Sequence, residues 1–156
     1  MEERKRERTA PSSPSVILLA TVGEPFDKVV VDRAVTLAGK SHPVIHVLSI
    51  ARIWGTALGL QHPSLRPSKR EWQVQAELVA DVVKQLERRG FTSKGRVVAT
   101  RNPAKAIASE AIATKADVVI MGRHRPTLWS RLQRQDETGR VARRSRIVVD
   151  IVQLDV

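Results

Sequence analysis

Gly122 and the arginines that follow it are the residues best suited to do chemistry in this sequence. The run Ala116-Asp117-Val118-Val119-Ile120-Met121-Gly122 leads directly into Arg123-His124-Arg125. Its apolar part reads as a short buried strand that stops at a glycine. At the carboxyl end of a parallel strand a glycine lets backbone N–H groups approach a phosphate. Arginine supplies a planar fork of donors matched to the same group. The chemistry indicated is anion recognition. Residues 123–146 carry eight arginines and no lysine: Arg123, Arg125, Arg131, Arg134, Arg140, Arg143, Arg144 and Arg146, opposed by Asp136 and Glu137. A solvated basic face would have the same composition, so the charge alone does not make a site.

The remaining reactive residue types point away from covalent and metal chemistry. With no cysteine, disulfides, thiolate metal sites and cysteine catalysis are excluded. His46 falls inside a strand and reads as structural. His124 sits at the strand end among arginines, either solvated or facing a ligand. His42 and His62 are isolated, which speaks against a metal centre. No nucleophile–base pair or carboxylate dyad stands at a recognisable spacing, so turnover is not expected. Trp72 suits the apolar face of a helix and reads as core. Trp129 lies in the basic loop and serves packing or base stacking. Trp54 lies in a long irregular stretch from which it could cover a pocket.

The elements that would position these residues alternate regularly. Val16-Ile17-Leu18-Leu19-Ala20 is wholly apolar, as in a parallel strand buried on both faces. Asp27 caps a helix to about Gly39, with Val30, Ala34, Leu37 and Ala38 inward. Residues 43–50 form a second strand, and residues 51–69 are irregular. An amphipathic helix over 71–89 shows Trp72, Ala76, Val79, Val83 and Leu86 at spacings of four and three, and Gly90 ends it. Residues 95–100 form a third strand. Asn102-Pro103 opens a helix to about Lys115, with Ile107, Ala108, Ala111 and Ile112 as its apolar side. Residues 117–121 are the fourth strand, 136–144 a short helix, and 147–152 the fifth strand. Strict alternation of strand and helix implies a parallel sheet covered on both faces, and right-handed crossovers restrict it to a doubly wound α/β sheet in a single domain.

Length and charge set the outer bounds. A chain of 156 residues forms one domain with one sizeable core. Residues 1–15 mix four basic and three acidic groups with Pro and Ser and read as a disordered tail ahead of a domain over 16–156. No apolar run approaches a membrane span, and Val16–Ala20 is too short for a secretory signal, so the expected location is the cytoplasm.

Several of these pieces together resemble the universal stress protein family over Val16 to Val152. They are Val16-Ile17-Leu18-Leu19-Ala20-Thr21, His46-Val47, Asn102-Pro103-Ala104-Lys105-Ala106-Ile107 and, most specifically, Ala116-Asp117-Val118-Val119-Ile120-Met121-Gly122. The resemblance implies a Rossmann-like five-stranded parallel sheet of order 3-2-1-4-5. It also implies a homodimer through the last strand, here Ile147, Val149 and Ile151. Members that bind ATP carry an Asp after the first strand and a G-x-x-G-x9-G-[S/T] loop after the fourth.

This sequence departs from that pattern. Val22, within Thr21-Val22-Gly23, stands where the Asp is expected. Gly122 is the first loop glycine, Arg125 replaces the second, and Gln135 and Asp136 stand where Gly and Ser/Thr should follow. Asp136 would repel a triphosphate. Gly139 could be a displaced loop glycine, because the segment is about two residues short of the family's register. Two readings follow. In one, standard ATP binding is lost and the chain is a non-catalytic, dimeric stress-response domain. In the other, ATP or another adenine nucleotide, or a phosphate ligand, is held by arginine side chains. The candidate residues are then Thr21, Val22, Gly23, Met121, Gly122, Arg123, His124, Arg125, Arg131 and Arg134. Binding of a polyanion or nucleic acid through the basic C-terminal third is a third alternative, weakened by the lack of any recognised nucleic-acid motif.

Overall fold

The computed structural model describes residues 10–52, 67–124, 140–141 and 147–154. Val16-Ile17-Leu18-Leu19-Ala20 is buried on both sides, as its composition requires: Ile17 and Leu19 enter one core cluster, Leu18 and Ala20 the other. This segment belongs to β1 (Val16–Val22). It is followed by α1 (Lys28–Ala38), β2 (Val44–Arg52), α2 (Lys69–Arg88), β3 (Ser93–Thr100), α3 (Pro103–Ala113), β4 (Val118–His124) and β5 (Val148–Leu154). The strands form one sheet of order β3-β2-β1-β4-β5, and every pairing is parallel. This is the expected order.

The two faces are covered differently. Val30, Val31 and Ala34 of α1 and Val79, Val82 and Leu86 of α2 pack on the face carrying Ile17, Ile45, Val47 and Ile120. Ala104, Ile107 and Ala111 of α3, together with Val141, pack on the face carrying Leu18, Leu48, Val119 and Met121. Local signals set the helix ends. The Asp27 carboxylate accepts from the Val29 N–H at 2.8 Å. The Asn102 side-chain carbonyl accepts from the Lys105 N–H at 3.1 Å, with Pro103 following at the first helical position. Gly90, at φ +87°, turns the chain out of α2.

Asp117 has a structural role. Its Oδ2 accepts from the backbone N–H groups of Ser15 (2.7 Å) and Val16 (3.0 Å). It thereby ties the entry of β4 to the entry of β1. Residues 1–9 of the expected tail lie outside the described residues; Ala10 packs against the α1-side core and Pro14 is buried.

Three sequence expectations need correction. First, α2 begins at Lys69, because Ser68 and Glu71 form a capping box: the Ser68 hydroxyl accepts from the Glu71 N–H, and the Glu71 carboxylate from the Ser68 N–H. Second, Trp72 is not core; it is 42% exposed, and Ala76 is exposed too. The stripe that meets the sheet runs through Gln75, Val79, Val82 and Leu86, with Gln75 accepting from the buried Ser49 hydroxyl at 2.5 Å. Ile112 likewise lies outside the α3 contact, 63% exposed. Third, β4 does not stop at Gly122. It continues through Arg123 to His124, because β5 offers Val152, Gln153 and Leu154 as ladder partners. Of the expected helix over 136–144, only Arg140 and Val141 are among the described residues, and both are helical.

Candidate functional site

The strand order reverses between β1 and β4, so a crevice opens at their carboxyl ends, where ligands of doubly wound sheets bind. Ala20 pairs with Met121. The next residues, Thr21-Val22-Gly23 on one strand and Gly122-Arg123-His124 on the other, therefore flank the crevice. The structure brings these six sequence candidates, with Met121, to one place. Arg125, Arg131 and Arg134 lie outside the described residues, as do Gln135, Asp136, Gly139, His62, Trp54 and Trp129.

The crevice residues are already engaged by the protein itself. Met121 is 3% exposed and belongs to the α3-side core. Val22 is half-buried against the same cluster. The Thr21 hydroxyl donates to the Glu24 carbonyl at 3.1 Å. The Gly23 N–H donates to the Ile50 carbonyl at 2.8 Å, and the residue takes φ +68° to do so. Gly122 has no such backbone need; its φ is not positive. What it lacks is room. A Cβ there would stand 2.9 Å from Leu154 Cδ1 and 3.0 Å from Val30 Cγ2. The glycine that marks the phosphate position by sequence is the point where α1, β4 and β5 meet. Arg33 on α1, bonded to Asp150 on β5 at 2.7 Å, holds that junction together. Arg123 is exposed at the mouth, and its carbonyl accepts from Gln153 Nε2 at 3.1 Å.

A second group of polar side chains gathers at the other end of the sheet, on the α3 side. Leu18, His46 and Lys94 stand level on β1, β2 and β3. They line a depression of about 150 Å³ with Leu48, Arg96 and Glu110. Arg96 Nη1 meets Glu110 Oε2 at 2.9 Å. His46 is half-buried, and its pKa is lowered from 6.5 by burial first and then by Lys94, with Glu110 opposing. By sequence alone His46 reads as structural. Its neighbours come from strands and a helix far along the chain, so no local signal could have shown the group. Among the described residues no cluster of His, Cys, Asp and Glu could hold a metal, and no helix is long and apolar enough to cross a membrane.

Comparison with known proteins agrees with this architecture. The profile of the Universal stress protein family matches residues 15–153. No curated protein matches the chain. A universal stress protein family structure from Burkholderia pseudomallei is 19% identical, covers 91% of this chain and 96% of its own, and superposes with a TM-score of 0.66. A universal stress protein in complex with cAMP is 22% identical, with 92% and 100% covered and a TM-score of 0.65. A universal stress protein family protein from Arabidopsis thaliana with AMP bound is 11% identical, with 92% and 94% covered and a TM-score of 0.59. The sheet order, the Asp117–Gly122 strand and the match over 15–153 lead to one conclusion: the chain belongs to the universal stress protein family.

Proposed function

We propose that this chain is a non-catalytic stress-response or regulatory domain that works in the cytoplasm as a homodimer, and that its crevice does not take ATP in the glycine-loop pose. One observation carries the reading: Gly122, the loop glycine the chain retains, is packed against Leu154 and Val30 and is explained without a phosphate. The Thr21 hydroxyl and the Gly23 N–H beside it are bonded within the protein. Val22 replaces the acidic residue of the ATP binders. The expected result of isothermal titration with ATP at millimolar concentration is no saturable heat. Mass spectrometry of the heat-denatured supernatant should show no ATP, and copurified ATP overturns the reading.

A second reading rests on the structural relatives crystallised with cAMP and AMP. In it, an adenine mononucleotide has its phosphate on Arg123 and on Arg125, Arg131 or Arg134. AMP and cAMP therefore belong in the same titration. Heat from either, weakened about tenfold by Arg123→Ala or Arg125→Ala, selects this reading, since each charged donor is worth that much to a phosphate.

Homodimerisation is supported by β5. It is an edge strand, and Ile151 is 37% exposed on the same face as the half-buried Val149. Ile147 just precedes it. Sedimentation should find a dimer that Ile151→Asp converts to monomer, because a buried unpaired carboxylate is not tolerated at an apolar contact. A monomeric native protein removes the proposal.

A further inference from the structure

We propose that the depression between β2, β3 and α3 is a second ligand site, distinct from the switch-point crevice, that binds a small divalent oxyanion through Lys94 and Arg96. The two sites are separated along the strands. Leu18 and His46 in the depression stand four residues before Val22 and Ile50 at the crevice, a distance of about 13 Å.

The argument begins with what α3 leaves uncovered. It meets the sheet through small side chains, Ala104, Ala108 and Ala111, around Ile107. It packs down on Leu18 and Leu48 and leaves the β3 edge open. On that edge Lys94 and Arg96, two residues apart, project to the α3 side, while Gly95 between them faces α2. Edge strands carry charge to discourage pairing, which accounts for the lysine and the arginine. It does not account for a half-buried imidazole placed level with the lysine, on the floor of a concavity with them.

The charges decide which ligand fits. The groups facing the concavity are Lys94 and Arg96 from β3, His46 from β2 and Glu110 from α3; Leu18 from β1 is apolar. Glu110 is the one carboxylate among them. Its side chain is 15% exposed and it is taken by Arg96, so a cation finds no free acceptor. Arg96 makes that bond through Nη1, and a guanidinium has five N–H donors. Lys94 adds an ammonium. With His46 neutral the concavity carries a net +1, and with His46 charged, +2. An oxyanion beside His46 stabilises its protonated form, so by linkage acid strengthens anion binding.

Sulfate tests this, since it stays divalent between pH 5 and pH 8. The 15N–1H spectrum of the full chain would be titrated with sodium sulfate against sodium chloride at matched ionic strength. Saturable shifts are expected at the amides of Lys94, Gly95 and Arg96 in sulfate alone. Affinity should fall about tenfold in Lys94→Gln and in Arg96→Gln, as removal of one charged donor does. It should be tighter at pH 5 than at pH 8, and His46→Gln should abolish that difference. Lys94 and Arg96 are exposed, and the spectra themselves verify that each variant, His46→Gln included, folds. The proposal is overturned if these amides shift no more in sulfate than in chloride. It is also overturned if both variants bind as the native chain does, or if the saturable shifts appear only at Gly23, Gly122 and Arg123. That last pattern would report the crevice and leave its nucleotide reading standing.

Discussion

Gly95→Ala is expected to lower the folding stability by about 3 kcal/mol, the upper end of what overpacking a close contact costs. The added Cβ would fall 2.3 Å from Val79 Cγ1 and 3.1 Å from Val83 Cγ2. Neither valine can turn aside, because a β-branched side chain in a helix has one strongly preferred χ1, and Val79 is 5% exposed. Nor can the helix lift away freely. Gln75 holds its first turns to Ser49 of β2, and beyond its last turn Arg89 reaches Asp32 of α1 at 3.0 Å. Chemical denaturation measures the loss. Val79→Ala in the Gly95→Ala background should recover part of it, since two residues in contact do not add independently. A change in stability under about 0.5 kcal/mol, the scale of an ordinary surface substitution, would mean that β3 and α2 do not approach this closely.

The same contact shows where sequence reading reaches its limit. Period and composition located β1 and a parallel sheet, because an all-apolar strand such as Val16–Ala20 has only one stable environment, a sheet covered on both faces; the strand order followed only from the resemblance to the universal stress proteins. Caps were legible at Asp27 and Asn102, where the signal lies within three residues of the helix it starts. The Ser68–Glu71 capping box is equally local, but the apolar stripe, whose first member is Trp72, places the start of α2 two residues late. Trp72 failed for a related reason: periodicity says which side of a helix is apolar, not how much of that side the sheet reaches. The site was harder. A glycine at a strand end and a glycine under a leucine read alike, and the leucine that distinguishes them, Leu154, belongs to a strand formed much later in the chain. Likewise no local pattern joins His46 to Lys94 and Glu110.

Gly122 is the position where the two meanings of a glycine make opposite predictions. If Gly122 is there for space, Gly122→Val should cost about 2–3 kcal/mol, because its methyls would need the volume held by Leu154 Cδ1 and Val30 Cγ2. Gly122→Ala should cost less, about 1 kcal/mol. The end of Leu154 can yield a few tenths of an ångström, and alanine recovers part of glycine's entropy penalty in a strand. Leu154→Ala should restore much of the Gly122→Val loss, although it opens a gap of its own. If Gly122 is there to present a backbone N–H to a phosphate, Gly122→Ala should leave the denaturation midpoint unchanged and weaken nucleotide binding instead. The structure favours the first outcome. Gly122 has no positive φ, it is laddered to Val152 inside β4 rather than freed at its end, and its missing side chain is matched by two apolar groups from other elements. A glycine kept for packing persists whether or not the loop after it still binds phosphate. Its presence in this chain is therefore compatible with the reading in which Arg125 and Gln135 stand at the other two glycine positions of the family's loop and Asp136 at its Ser/Thr position.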